Sequence, residues 1–281
     1  SLAGNDLLQD ADDVVLFPQT LHTYQNRLTL DLGMAAGAGG GLFAMGNDSM
    51  TFGAAIHRGP QGQTPNGWQD RDREINGLGG YGLGLPDEIG LTTGHENIDL
   101  LFGMSLSSAL DLGIRLGIGR GLAWQDLEVP DGDGTRSKID STDQNAVHFT
   151  AGGSYKSSGM HLDGSLRVVS LGGSKIDDGK TVITASDMEI GLATRAYFKM
   201  GKGFDIGAVF GFNNGSGWAL NQTDPDEDVT AIWQRTGVVV GAGPRLQLKD
   251  GPLVAAYAVV AYGTSFLDPD NHHPATAASS S

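Results

Sequence analysis

The sequence predicts an all-β fold, a single antiparallel, up-and-down, transmembrane β-barrel of about 10 strands, within a range of roughly 10 to 14. Large aliphatic side chains alternate with small or charged ones in ten segments spread through most of the chain. No apolar run approaches the ~18 residues that a membrane-spanning helix needs. Forty-four glycines among 281 residues fit strands that bend around a crowded interior.

The clearest alternating segment covers residues 110–118, which read Leu-Asp-Leu-Gly-Ile-Arg-Leu-Gly-Ile. Successive side chains on a strand point to opposite faces, so Leu112 and Ile114 share one face while Asp111 and Arg115 share the other. A membrane barrel turns the aliphatic face to lipid and the polar face to its lumen. A soluble all-β protein is the alternative, but its ten strands would enclose dozens of aliphatic side chains with few aromatics.

Three regions follow from the distribution of this pattern. Residues 1–24 are polar and mixed apart from Val14, Val15, Leu16 and Phe17, and they predict an N-terminal arm or plug. Residues 25–266 carry the alternation without a composition break and predict one barrel domain. Residues 267–281 lead into a Ser/Ala-rich stretch that predicts a disordered C-terminal tail.

The connections between strands fall into two length classes. Short turn-forming sequences occur at residues 46–48, 107–109, 157–159, 201–203 and 249–251. Longer polar connections are predicted at about residues 59–96, 125–143, 172–186 and 214–228. Residues 77–85, where glycine alternates with leucine and tyrosine, would supply additional strands. Short turns at one rim and long loops at the other are typical of outer-membrane barrels.

Through these alternating segments and this rhythm of short turns and long loops, the chain resembles bacterial outer-membrane β-barrel proteins as a class. The resemblance covers residues 25–266, concerns architecture and identifies no subfamily. It implies a location in the outer membrane of a Gram-negative cell envelope. The implied partners are membrane lipid and lipopolysaccharide, and a homo-oligomer or an envelope protein partner is left open.

Composition excludes several other classes of function. The formal net charge of −15 and the acidic loops repel nucleic acid, so we expect no nucleic-acid partner. The absence of cysteine excludes disulfides, thiol catalysis and cysteine-ligated metals. Acidic runs at residues 131–134 and 224–228 lack the twelve-residue calcium loop and its closing Glu. No phosphate-binding or dinucleotide-binding motif occurs, and we expect no cofactor and no bound metal.

If the aliphatic face meets lipid, the opposite faces form an inner wall that carries both signs of charge in near balance. Burying a lone charge costs several kcal/mol, so these groups must pair with one another or stay hydrated. The predicted lumen-lining residues are Asp31, His57, Asp99, Asp111, Arg115, His148, His161, Asp163, Arg167, Glu189, Arg195, Asp205, Arg235 and Arg245.

The leading functional hypothesis is a narrow pore or channel for ions or small solutes, whose charged wall sets the ion preference. The first alternative is a barrel whose lumen is packed by Arg–carboxylate pairs, acting as an envelope scaffold or as an interaction protein through its long acidic loops. The second is an outer-membrane lipid hydrolase, for which His148 with Ser154, or His161 with Ser165, would share the inner face. Such spacing is not diagnostic, and we expect no enzymatic activity and no catalytic residue.

Overall fold

The structure is a computed structural model that describes residues 14–31, 39–58, 96–124, 141–177, 180–221, 231–247, 253–256 and 258–268. After residue 26, the described residues lie almost entirely in strands and in the tight turns that join them. The predicted all-β, antiparallel, up-and-down fold class is confirmed. Among the described residues, no helix is both long enough and apolar enough to cross a membrane.

One sheet contains the twelve strands of the described part of the chain, a number within the predicted range. Its strands are β1 (Arg27–Asp31), β2 (Gly39–Gly46), β3 (Met50–Arg58), β4 (Glu96–Ser107), β5 (Leu110–Trp124), β6 (Ser141–Lys156), β7 (Met160–Asp177), β8 (Lys180–Gly201), β9 (Phe204–Asn221), β10 (Ala231–Gln247), β11 (Leu253–Ala255) and β12 (Ala258–Asp268).

Each strand from β1 to β10 pairs antiparallel with the next one in the sequence. Strands β11 and β12 both pair with the remaining edge of β10. Their registers are continuous, because Arg245 faces Ala255 and Ala242 faces Ala258. They therefore occupy one strand position beside β10, with an interruption near residue 256.

The predicted short turns occur where the sequence places them. β2 and β3 are joined through a turn in which the Asn47 N–H donates to the Met50 carbonyl oxygen at 2.8 Å. In the turn between β6 and β7, the Ser157 N–H donates to the Met160 carbonyl oxygen at 2.7 Å. Short turns also join β4 to β5 and β8 to β9. The turn predicted at residues 249–251 lies outside the described residues.

One of the predicted long connections is wrong. Residues 172–186 are not a loop, because β7 continues to Asp177 and β8 begins at Lys180. This stretch is rich in serine, threonine, valine and isoleucine, and its pairing across the two strands outweighs the polar composition that predicted a loop. β9 likewise extends into the connection predicted at residues 214–228 and ends at Asn221. The connections predicted at about residues 59–96 and 125–143 end where β4 begins at Glu96 and β6 begins at Ser141. The rest of both connections, with the additional strands predicted within residues 77–85, lies outside the described residues.

The two faces of the sheet differ sharply in exposure. Along β5, Ile114 and Leu116 are 45% and 47% exposed, whereas Asp111 and Arg115 on the other face are 3% and 0% exposed. Similar pairs recur on β8, where Met188 and Ile190 are exposed and Glu189 is buried. The sheet therefore has an exposed aliphatic face and a buried face that carries its charges.

Residues 14–24, here called the inner segment, lie on the buried face. They include a short 3₁₀ helix, Pro18–Tyr24, which contacts strands β2 to β6. The apolar side chains that precede the helix are all buried, as is Leu21 within it. The inner segment therefore supplies apolar surface to a face that the strands furnish mainly with polar and small side chains.

The contacts of the inner segment show that the sheet is strongly curved. Val14 belongs to an apolar cluster with Leu42 of β2, whereas Leu16 and Phe17 form a cluster with Ala193 of β8. Three residues of extended chain span at most about 11 Å. In a flat sheet, β2 and β8 would lie roughly 29 Å apart, because strands are spaced about 4.8 Å apart. Side-chain reach does not cover this difference, so the sheet curves around the inner segment.

Candidate functional site on the buried face

Cross-strand register organises the buried face into layers. Six small residues lie side by side on the neighbouring strands β4 to β9, each paired with the one on the next strand. We call them the small-residue row: Gly103, Gly113, Gly152, Ser165, Ala193 and Gly211. A layer of charged and polar residues lies on each side of this row along the strands. The layer toward the short turns contains Asp111, Ser154, Asp163 and Arg195, also in consecutive pairing.

Asp163 is the centre of the layer toward the short turns. Its side chain is fully buried and accepts hydrogen bonds from three groups on three strands. Arg195 Nε donates to Oδ2 at 2.8 Å, and His161 Nε2 donates to Oδ1 at 3.0 Å. The Ser154 hydroxyl also donates to Oδ1. This carboxylate is therefore compensated by one cation and two further donors, as a buried charge requires.

Asp111 is held in a similar way beside the same short turns. The Ser105 hydroxyl donates to its Oδ1 at 2.6 Å, and Lys156 Nζ donates to its Oδ2 at 2.7 Å. His22 of the inner segment places Nε2 3.6 Å from the same Oδ2. Each of the two carboxylates thus lies beside a serine hydroxyl, the cation of a lysine or arginine, and a histidine ring.

The layer toward the long connections contains two further buried ion pairs. Arg115 Nε donates to Asp99 Oδ1 at 2.7 Å, and both side chains are almost completely buried. Arg167 Nη2 donates to Glu189 Oε1 at 2.5 Å, again with both side chains buried. These pairs cross-link neighbouring strands on the inner wall and hold opposite charges in contact.

The predicted lumen-lining residues fall into three groups. Eight are buried on the inner face, namely Asp99, Asp111, Arg115, His148, Asp163, Arg167, Glu189 and Arg195. His161, Asp205 and Arg245 are partly exposed, and the last two approach each other at 3.8 Å. The side chains of Asp31, His57 and Arg235 lie outside those that the structure describes.

Several buried polar residues were missing from the predicted set. Asp187 and Asn213 are buried at the same strand parity as Glu189 and Asp205. The alternation of side chains along the strand predicts both as inward-facing, but Asp187 directly follows the predicted long connection at residues 172–186. Thr150 on β6 pairs with Arg115 of β5 on one side and with Arg167 of β7 on the other, and it is also buried. Gln19, on the inner segment, carried no sequence signal because it belongs to no strand pattern.

The inner segment sits directly on the small-residue row. A Cβ added at Gly113 would fall onto the Gln19 main-chain nitrogen, and one added at Gly152 would fall onto Gln19 Oε1. Gln19 Nε2 donates to the Gly153 carbonyl oxygen at 3.2 Å. Gly113 therefore leaves room for the close approach of a second backbone, which a larger residue would block, and Gly152 leaves room for the end of the Gln19 side chain.

Two contacts tie the apolar residues of the inner segment to charged side chains of the wall. Arg115 Nη1 donates to the Val15 carbonyl oxygen at 3.2 Å. The Arg195 guanidinium carbon lies 4.3 Å from the centre of the Phe17 ring, which is cation–π geometry. Both arginines thus contact a carboxylate of the wall and the inner segment at the same time.

Ser154 and His161 are not placed as a nucleophile and its base. Ser154 and His161 meet at Asp163, but both contact the carboxylate, and the serine hydroxyl donates to Asp163 instead of to an imidazole. A nucleophilic serine needs an adjacent base to accept its proton, normally the imidazole. Within the described residues, no group of three or more His, Asp or Glu side chains could hold a metal ion.

No protein-family model and no curated protein sequence matches the chain. Among solved structures, it is similar to OmpT, an outer-membrane protein of Vibrio cholerae. The loop L8 deletion mutant of OmpT is 14% identical with a TM-score of 0.41, and the match covers 89% of this chain and 68% of that one. OmpT expressed in the outer membrane is 13% identical with a TM-score of 0.43, covering 89% and 65%. In-vitro folded OmpT is 14% identical with a TM-score of 0.38, covering 90% of each chain.

Proposed function

We propose that the chain is an outer-membrane β-barrel that forms a narrow pore for ions and small solutes, with the inner segment closing the pore in the conformation described here. The exposed aliphatic face supports the membrane location, because an aqueous environment would leave side chains such as Ile114, Ile118 and Leu100 unburied. Many of the described strands are longer than the roughly 9–11 residues that cross a bilayer, so they also extend beyond it.

The observation that carries the pore proposal is the seating of the inner segment on the small-residue row. In a barrel whose lumen is permanently packed, the side chains of the strands themselves fill the interior. Here the wall presents glycine, serine and alanine across six neighbouring strands, and a separate segment occupies the space they leave. Displacement of that segment would expose a passage flanked by charged layers on both sides.

The second candidate is the packed-lumen scaffold, and the buried ion pairs favour it. Arg115 with Asp99, and Arg167 with Glu189, cross-link the wall with side chains that are at most 4% exposed. If these pairs alone fill the lumen, removal of the inner segment will not create a conducting path. The lipid-hydrolase alternative receives no support from the Ser154–Asp163 geometry, and we propose no enzymatic role.

A disulfide lock tests the pore proposal. A Cβ added at Gly103 would lie 3.4 Å from the Leu21 Cβ, near the roughly 3.5–4.5 Å that a disulfide needs. The natural chain has no cysteine, so Leu21→Cys with Gly103→Cys introduces a single defined pair. In planar bilayers, we expect the oxidised double variant to stay closed and the reduced one to show channel openings.

The matched controls are the two single-cysteine variants, which should respond to neither oxidant nor reductant. A chain from which residues 14–24 are deleted should conduct continuously if it refolds. If neither the reduced double variant nor a refolded deletion variant conducts ions, the pore proposal is rejected and the packed scaffold is favoured.

A further inference from the structure

A cavity of about 290 Å³ lies between the inner segment and the strands beside the short turns. The inner segment contributes Thr20, His22, Thr23 and Tyr24 to its lining. The strands contribute Ser154, Lys156, His161 and Arg195. Each of these side chains carries an N–H or O–H group, and none is a carboxylate. The Thr20 hydroxyl already donates to the Phe17 carbonyl oxygen, and the Ser154 hydroxyl and His161 Nε2 donate to Asp163.

The carboxylates next to the cavity are already compensated. Asp111 and Asp163 are buried and do not line the space. Each one accepts hydrogen bonds from a serine and from a basic side chain on the neighbouring strands. They hold Lys156 and Arg195 in position at the cavity without presenting oxygen atoms to a ligand.

We propose that this cavity binds a small solute through a phosphate or carboxylate group. A lining that contains two cations and no carboxylate is suited to an oxyanion, because hydrogen bonds between charged groups are strong. Lys156 is the most accessible cation, because its side chain is 39% exposed and one contact with Asp111 leaves ammonium donors available. The volume fits a small molecule, since pockets for drug-sized ligands start at roughly 300 Å³.

The position of the cavity favours a free solute over a lipid headgroup. The cavity opens on the buried face, which bears the charged layers, while the aliphatic side chains that would accompany acyl chains lie on the opposite face of the sheet. A headgroup could reach the site only if its acyl chains left the lipid. Because the inner segment and strands β6 to β8 both line the cavity, a bound oxyanion would also join the two.

Calorimetric titration of the full chain, refolded in an uncharged detergent, tests this proposal. Sodium phosphate and sodium acetate are the probes, and sodium chloride keeps the ionic strength constant. We expect saturable binding of at least one of them, with one site per chain. Lys156→Gln should weaken that binding by about tenfold or more, because it removes a hydrogen bond between charged groups. Lys202→Gln, at the exposed turn between β8 and β9, is the matched control and should leave binding unchanged.

Thr23→Val provides a second variant if Lys156→Gln does not refold. It removes one donor from the lining with almost no change in shape, and we expect binding to weaken several-fold. Absence of saturable binding of both probes would overturn the proposal, as would equal binding by the wild type and the lining variants. Dihexanoyl phosphatidate distinguishes the source of the ligand: binding that is tighter than that of phosphate and sensitive to Lys156→Gln would overturn the assignment to a free solute. The outcome does not depend on whether the chain conducts ions.

Discussion

Arg115 donates from Nη1 to the main-chain carbonyl oxygen of Val15, 3.2 Å away. The same guanidinium donates from Nε to Asp99 on the neighbouring strand at 2.7 Å. A single buried side chain therefore links two strands of the wall to the inner segment. Its planar fork allows this, because the nitrogen atoms point in fixed and different directions.

We predict that Arg115→Gln lowers the free energy of unfolding by about 3–5 kcal/mol, because the substitution leaves the Asp99 carboxylate buried without its cation. Urea unfolding in lipid, followed by the heat-dependent shift in gel mobility, measures this change. Arg245→Gln is the matched control, since Arg245 and Asp205 are partly exposed and 3.8 Å apart. Its cost should be about 0–1 kcal/mol. Equal losses in the two variants would contradict the role assigned to burial.

A second prediction concerns the fit of the inner segment. Gly113→Ala should displace it, because the added Cβ would meet the Gln19 backbone. We expect chymotrypsin to cleave after Tyr24 faster in this variant than in the wild type, since the segment spends more time away from the wall. The control is Gly159→Ala, in the turn between β6 and β7, where an added Cβ meets nothing within 4 Å. If Gly113→Ala leaves cleavage unchanged, the close approach at this glycine does not hold the segment.

These relationships differ in how far the sequence could predict them. The alternation in β5 sufficed for Asp111 and Arg115, because a strand period of two assigns each side chain to a face without knowledge of its neighbours. The partner of each charge required the register: Arg115 pairs with Asp99 on β4 and not with Asp111, four residues away on its own strand. A short turn sets the register of two strands only if they pair without irregularity, and β4 and β5 shift register between Ser105 and Ser107.

The inner segment shows a second limit. Val14, Val15, Leu16 and Phe17 stood out as an apolar group, but no periodicity tells which strands such a group contacts. The small-residue row was equally hidden, because its paired neighbours are 10 to 39 residues apart in sequence and meet only through strand pairing. Local patterns therefore predicted the two faces of the sheet, while the contents of the buried face depended on contacts between distant residues.

The exposed aliphatic face gives a third prediction, which tests the membrane location. Ile114→Arg should cost about 2–4 kcal/mol if this residue lies near the middle of the bilayer. Leu106→Arg, on the same face but beside the turn after β4, should cost only about 0–1 kcal/mol, because the arginine can reach the interface. Refolding into lipid vesicles at increasing urea concentration measures both. If the two variants lose the same free energy of unfolding, this face of the sheet does not contact the interior of a bilayer.

The last prediction concerns ion preference in the open state. Arg115 and Arg195 are basic residues of the inner wall that also contact the inner segment, so displacement of that segment would leave both facing the passage. Arg115→Ala combined with Arg195→Ala removes two positive charges and leaves Asp99 and Asp163 in place, which should shift the reversal potential in a salt gradient toward cation preference.

The opposite pair of substitutions, Asp99→Asn with Asp163→Asn, removes negative charge from the same two sites and should shift the reversal potential toward anions. Both double variants perturb the same ion pairs, so a general loss of packing would move the two potentials in the same direction. Only charges that line the conducting path give shifts of opposite sign. If the reversal potential is unchanged in both variants, ions do not pass along this wall.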